Sequence, residues 1–298
     1  MSTIGAILYT NASRVKRPIG SNAVTDWDAD LRLAHELADL ADTLTMSRFL
    51  AEDLVVESKP DLTPVTDADR LVEREVRERI AAERPADAVL GEEYGATGDS
   101  TRRWVLDPID GTKNFVRGVP VWATLIALQL DETTVVGAVS APALGRRWWA
   151  ARGSGAWTTA LGGPPRRCRV SGVADLADAS LAYSSPEGWS ARGVLPRFLD
   201  LLDTAWRSRG YGDFWSHMLV AEGSVDASFE AELSLWDLAA LQVIVTEAGG
   251  RFSDLSGVDR VDGGSVVCSN GLLHDHVIAA LAPVAPSGED AVQAGRER

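Results

Sequence analysis

Trp104-Val105-Leu106-Asp107-Pro108-Ile109-Asp110-Gly111-Thr112-Lys113-Asn114-Phe115 is the run on which the reading of this chain turns. Three apolar residues enter it, as in a short buried strand. Two carboxylates follow, separated by Pro108-Ile109. Proline fixes its own φ and biases the residue before it towards an extended conformation, so the chain must turn here with both acids free to point the same way. Gly111-Thr112 then opens a helix. The first amides of a helix lack internal partners and carry partial positive charge, which suits a phosphate oxygen.

An N-cap role would account for Asp110 alone. It leaves Asp107 unexplained, and also the acids upstream in Gly91-Glu92-Glu93. If Glu92, Asp107 and Asp110 converge, each close pair of like charges costs about 4 kcal/mol at 4 Å in a medium of effective dielectric 20. Bound cations would relieve that cost. An all-oxygen cluster without neighbouring His or Cys suits hard Mg²⁺ rather than zinc.

Gly91-Glu92-Glu93 followed by Asp107-Pro108-Ile109-Asp110-Gly111-Thr112 resembles the inositol monophosphatase-like family of Mg²⁺-dependent phosphatases. A second signature lies at Trp236-Asp237-Leu238-Ala239-Ala240 through Glu247-Ala248-Gly249-Gly250. The likeness runs from about Leu31 to Leu281. It implies an α/β (α+β) fold, a layered αβαβα sandwich of two lobes with a cleft between them. It also implies metal ligands at Glu92, Asp107, Asp110 and Asp237 plus the Ile109 carbonyl, with Glu93 behind them or at an outer metal. Thr112 with Asp67 would orient and deprotonate the attacking water, and the Gly111 and Thr112 amides would hold phosphate. Family members are commonly homodimers.

The chain has 298 residues, 45% hydrophobic and 24% charged, enough for one large domain or two packed lobes. Its net charge of −14 repels nucleic acid and anionic lipid, and would repel a phosphorylated small molecule unless metals reverse the sign locally. Cys168 and Cys268 have no ligand-like spacing and read as buried thiols of a cytoplasmic protein. No apolar run approaches the roughly 18 residues of a membrane span. Arg14, Lys16 and Arg17 follow the first apolar patch rather than precede it, which argues against an export signal. Lysine occurs only at Lys16, Lys59 and Lys113; the last two lie beside site motifs and are candidates for contact with substrate or phosphate.

Along the chain, residues 1–25 read as a mobile leader, 26–162 as a first lobe carrying the main acid cluster, 163–284 as a second α/β lobe and 285–298 as a disordered tail. Leu31 to Leu44 repeats apolar residues at helical spacing. Thr66 with Asp69 fits a capping box opening a helix to about Ala82, which assigns Asp69 to capping and leaves Asp67 as the acid matching the family. A hairpin is predicted over 121–141. Leu161-Gly162-Gly163-Pro164-Pro165 marks the lobe boundary by composition. Beyond it, strands and helices alternate, with one helix near 193–202, as expected for helices packed on a mixed sheet.

Asp237 stands in the first turn of a helix, where an acid also stabilises the dipole. Glu230 precedes it at the place where the family often carries an acid that reads the substrate alcohol; Glu232 is nearby. In Gly210-Tyr211-Gly212-Asp213, inositol-type members have small uncharged residues. Asp213 either caps the following helix or faces a cationic group of the substrate. With Glu230 it points to an amine- or imidazole-bearing phosphate ester, and the Gly-Asp pair resembles the histidinol-phosphate phosphatase branch. Another phosphatase of the same fold, acting on inositol 1-phosphate or adenosine 3′,5′-bisphosphate, is the alternative, as is a regulatory binding protein of transcription complexes. His217, on an apolar helix face, reads as a packed histidine.

Overall fold

The computed structural model describes residues 27–282; the leader and tail expected at 1–25 and 285–298 lie outside the described residues. Helix α1 (Asp28–Arg48) buries Leu33, Ala34, Leu37, Ala38 and Ala41 on one face. Strands β1 (Val56–Ser58) and β2 (Pro64–Thr66) form a small antiparallel hairpin, with β1 exposed and Val65 and Thr66 of β2 buried. Helix α2 (Asp67–Glu83) starts at the expected capping box: Thr66 Oγ1 accepts from the Ala68 amide at 3.1 Å, and Asp69 Oδ2 accepts from the Thr66 amide at 2.7 Å.

The chain then lays down β3 (Ala88–Gly91), β4 (Gly95–Thr97), β5 (Arg102–Asp110), the short helix α3 (Thr112–Val116), β6 (Ala123–Leu130), β7 (Thr133–Ala141), β8 (Arg146–Ala151), β9 (Gly155–Ala160) and β10 (Arg166–Arg167). These strands make one sheet in the order β10-β9-β8-β7-β6-β5-β3-β4, antiparallel except for the β3–β5 pair. The β6–β7 hairpin matches the alternation of its sequence. Strand β5 does not stop at Leu106. It runs through Pro108, and its register jumps from Asp107↔Leu125 to Asp110↔Ala123. One extra residue is absorbed as a bulge, and a proline with no N–H to give is tolerated there. The Gly- and Pro-rich run at 161–165 is not a joint between sheets. It turns β9 back into β10 inside the large sheet, with Leu161 and Gly162 at positive φ, and the chain leaves that sheet only after Arg167. Turn-forming residues mark a reversal, and composition alone does not say which kind.

The second half contains β11 (Ser180–Tyr183), α4 (Glu187–Ala191), α5 (Leu195–Thr204), β12 (Arg207–Gly210), α6 (Asp213–Ala221), β13 (Ala227–Glu230), α7 (Leu235–Glu247), β14 (Arg251–Ser253), β15 (Val266–Ser269) and α8 (His274–Leu281). Its sheet is ordered β12-β11-β13-β15-β14 and is mixed. The helix expected near 193–202 is α5, with Pro196 in its first turn; the short α4 before it was not foreseen, and Gly193, at a φ of +71°, separates the two.

The layers follow from the apolar faces. Helices α1 and α2 cover one side of the large sheet through Leu37, Val76 and Ile80 against Leu106, Ile126 and Val136. Helices α6 and α7 fill the space between the sheets: Met218, Leu238, Leu241 and Ile244 meet Leu125 and Val139 on one side and Phe252, Val266 and Cys268 on the other. Helices α4, α5 and α8 close the far side through Trp189, Phe198 and Val277. This is the αβαβα sandwich. Helix α7 is buried on both flanks and keeps only a narrow polar strip, Gln242, Thr246 and Glu247. It lies so close to β7 that a Cβ on Gly137 would stand 2.7 Å from the Ala240 carbonyl and 2.6 Å from a Val243 methyl.

Candidate active site

The bulged end of β5, the start of α7 and the start of α6 meet at a cavity of about 500 Å³. Asp107 is buried, and its Oδ1 accepts from the Ile109 amide at 3.0 Å, which fixes the carboxylate across Pro108. Asp110 Oδ2 accepts from the Phe214 amide at 2.8 Å, tying the large sheet to α6. Asp237 Oδ2 accepts from the Ser234 amide at 2.7 Å at the start of α7. Each acid thus spends one oxygen on the backbone and offers the other. Ligand oxygens of Asp107, Asp110 and Asp237 all lie within 4.8 Å of one another. Gly111, at a φ of +82°, makes the left-handed turn out of β5 that starts α3, and a Cβ there would meet the Val121 carbonyl at 3.0 Å.

Glu92 is not one of that trio. It is close enough to raise the pKa values of Asp107 and Asp237, but its Oε1 is held 2.6 Å from Lys59 Nζ. The same ammonium lies 2.6 Å from Glu93 Oε1, at the turn between β1 and β2. Glu73, which sequence reasoning passed over, builds this corner. It is buried, accepts from the Glu93 and Tyr94 amides at 2.7 and 3.2 Å, and pairs with Arg77 at 2.7 Å. A Cβ on Gly91 would collide with it at 2.1 Å. A glutamate in the apolar stripe Val72, Val76, Ile80 of α2 was the available signal.

The acid beside Thr112 is Asp69, not Asp67. Asp67 pairs with Arg48, the last residue of α1, at 2.8 Å. Asp69 is fully buried; its Oδ2 caps α2 and its Oδ1 lies 3.4 Å from Thr112 Oγ1. Thr112 Oγ1 is closer to the Ile109 carbonyl, at 2.9 Å, and donates its one proton there. The capping box did not exhaust Asp69, because a carboxylate has two oxygens. Burial raises the Asp69 pKa to about 7, against the hydrogen bonds from Thr66 and with help from Glu93 and Glu92.

Asp213 and Glu230 line the same cavity, and Asp213 stands close beside the trio: a Cβ on Gly111 would lie 3.2 Å from its Oδ2. Asp213 does not cap α6: it sits at a φ of +50°, and its Oδ2 accepts from Asn114 Nδ2 at 3.0 Å. Burial and Glu230 raise its pKa to about 6, while His217 and Lys113 oppose them. Lys113 lines the same cavity with an exposed side chain, as does Glu232. Glu230 is buried and contacts His217 Nε2 at 3.0 Å.

The donor set of the trio contains oxygen only. Burial, then the charge of Glu92, pushes Asp107 well up; burial, then Asp213, does the same to Asp110; burial raises Asp237 to about 7. Like charges held this close by backbone hydrogen bonds fit a divalent hard cation.

The profile of the inositol monophosphatase family matches residues 26–285. A histidinol-phosphatase of Mycobacterium tuberculosis is 59% identical across 85% of this chain and 97% of its own length. That of Streptomyces coelicolor is 56% identical across 86% and 98%. Among solved structures, the extragenic suppressor protein suhB of Bartonella henselae superposes with a TM-score of 0.79 at 28% identity, covering 87% of this chain and all (100%) of that one. An inositol monophosphatase of Zymomonas mobilis gives 0.76 at 31% identity, covering 86% and 99%.

Proposed function

Since the chain belongs to the inositol monophosphatase family, we propose that it is a Mg²⁺-dependent phosphomonoesterase that converts histidinol phosphate and water to histidinol and inorganic phosphate. The observation that carries this reading is one cavity served by two acid groups: Asp107, Asp110 and Asp237, with their oxygens gathered within 4.8 Å, and beside them Asp213 and Glu230. An ester with a phosphate at one end and an ammonium at the other complements both.

Magnesium, when bound, supplies the positive charge that lets a dianionic phosphate enter and that acidifies a water for attack. Asp107, Asp110 and Asp237 would hold it, with the Ile109 carbonyl and with Glu92 once its oxygen leaves Lys59. The Gly111 and Thr112 amides hold phosphate oxygens at the start of α3. Asp69 takes the proton of the attacking water; a pKa of about 7 leaves it able to accept one at neutral pH. Thr112, anchored on the Ile109 carbonyl, fixes the lone pair that orients this water. The phosphorus–oxygen ester bond breaks, and the leaving alkoxide is protonated by solvent. Asp213 and Glu230 receive the ammonium. The homodimer, cytoplasmic location and lobe division of the family belong to the same reading.

The test is phosphate release with Mg²⁺ from histidinol phosphate, inositol 1-phosphate and adenosine 3′,5′-bisphosphate. A clear preference for the first in kcat/KM is expected. Preference for either of the others would overturn the substrate, and no turnover of any ester would favour a binding role.

A further inference from the structure

His217 is a buried histidine that the phosphatase chemistry above leaves unused. It projects from α6 one turn after Asp213, towards β13. Its Nδ1 is 2.8 Å from Ser228 Oγ and its Nε2 is 3.0 Å from Glu230 Oε1. All three residues are buried, His217 to 1% exposure. Among the described residues this is the only hydrogen bond to the Glu230 carboxylate. A carboxylate accepts and does not donate, so Nε2 carries the proton. The ring is therefore set from behind by Ser228 and spends its N–H on one oxygen of Glu230. The second oxygen is left for the cavity that Glu230 shares with Asp213.

We propose that His217 is a positioning residue for substrate selection: locked by Ser228, it presents Glu230 beside Asp213 as a two-carboxylate receptor for the ammonium of a cationic phosphate ester. The proposal rests on the cationic substrate of the preceding section and extends it to a residue that touches no substrate. The groups facing His217 are Glu230 from β13, Cys268 from β15 and Asp213 from its own helix. Burial disfavours an imidazolium, but Cys268 and Glu230 more than offset this and raise the His217 pKa to about 10. Asp213 and Glu230 bring two carboxyl groups to one cavity, and the contact with His217 Nε2 occupies only one oxygen of Glu230. A neutral polyol can donate hydroxyl hydrogen bonds to these carboxylates but lacks the ion pair that an ammonium makes with them.

The test compares steady-state kinetics on histidinol phosphate and inositol 1-phosphate for the wild type, His217→Leu, His217→Gln and Ser228→Ala, each checked for a native circular-dichroism spectrum. For His217→Leu, KM for histidinol phosphate should rise at least about tenfold, with kcat for it and kcat/KM for inositol 1-phosphate within about twofold of wild type. His217→Gln, whose amide N–H can replace Nε2–H, should recover most of the loss. Ser228→Ala, which removes one hydroxyl and threatens the fold least, should shift KM the same way by a smaller factor. Equal losses on both esters, or a loss in kcat rather than KM, would overturn the role given to His217. A wild type that prefers histidinol phosphate, with variants that keep the preference, sinks only this proposal. A wild type without preference sinks the substrate assignment, and this proposal with it.

Discussion

The two groups of acids that share the cavity are built differently. At the metal site, each carboxylate is pinned by a backbone amide: Ile109 for Asp107, Phe214 for Asp110 and Ser234 for Asp237. In the selecting pair, the pins are side chains, Asn114 for Asp213 and His217 for Glu230. A backbone pin survives most substitutions of its own residue, whereas a side-chain pin is lost with one. On the proposed function, chemistry is thus fixed by the architecture, and selectivity by a few replaceable contacts.

The largest effect should come from the metal site. Asp107→Asn should lower kcat by at least about 10³-fold. It should also remove the Mg²⁺-induced rise in melting temperature, since ligand at 100 Kd stabilises the wild type by about 2.7 kcal/mol. Retention of both activity and the thermal shift would break the contrast. Next, Asp69→Asn should cost about 10²- to 10⁴-fold in kcat, the usual worth of a general base, while Asp67→Ala stays within about threefold of wild type. The reverse ranking would restore Asp67 to the site. In the selecting pair, Asp213→Asn should raise KM for histidinol phosphate about tenfold and spare inositol 1-phosphate. An equal change on both esters would mean that Asp213 only supports Asn114 and the Gly111 turn. The smallest effect is on stability. The folded pKa of His217, about 10, lies above its ordinary 6.5. Its contribution is therefore fully present below pH 6.5 and is lost as pH rises through about 10. Wild type should lose more denaturant-unfolding free energy between pH 7 and 10 than His217→Gln; parallel curves would show an uncharged ring.

The metal site was legible because its parts are neighbours in the chain. Asp107, Asp110, Gly111 and Thr112 share one bulged strand end, and Pro108 announces the bend. Asp237 and the layered fold followed from resemblance and from alternating periodicities. What escaped reading was double duty. Asp69 satisfies a capping box and so looked fully explained, yet only one of its oxygens is spent there. Glu73 and His217 sit on apolar helix faces, where spacing says buried but not against what. The run at 161–165 shows the same limit: glycines and prolines reveal that the chain reverses, while the choice between a hairpin and a lobe joint is made by pairing partners far away in sequence.

The contact between Gly137 and helix α7 has a consequence for heredity as much as for geometry. Because α7 carries Asp237 at its start and rests directly on β7, a single methyl placed at residue 137 must push the helix outward, and the spacing of the Asp107, Asp110 and Asp237 oxygens records the push. A displacement approaching 1 Å can cost about a hundredfold in rate. Gly137→Ala, in the middle of the molecule and touching no reactant, is therefore a lesion that would be catalogued as a folding defect yet would first be felt as a catalytic one.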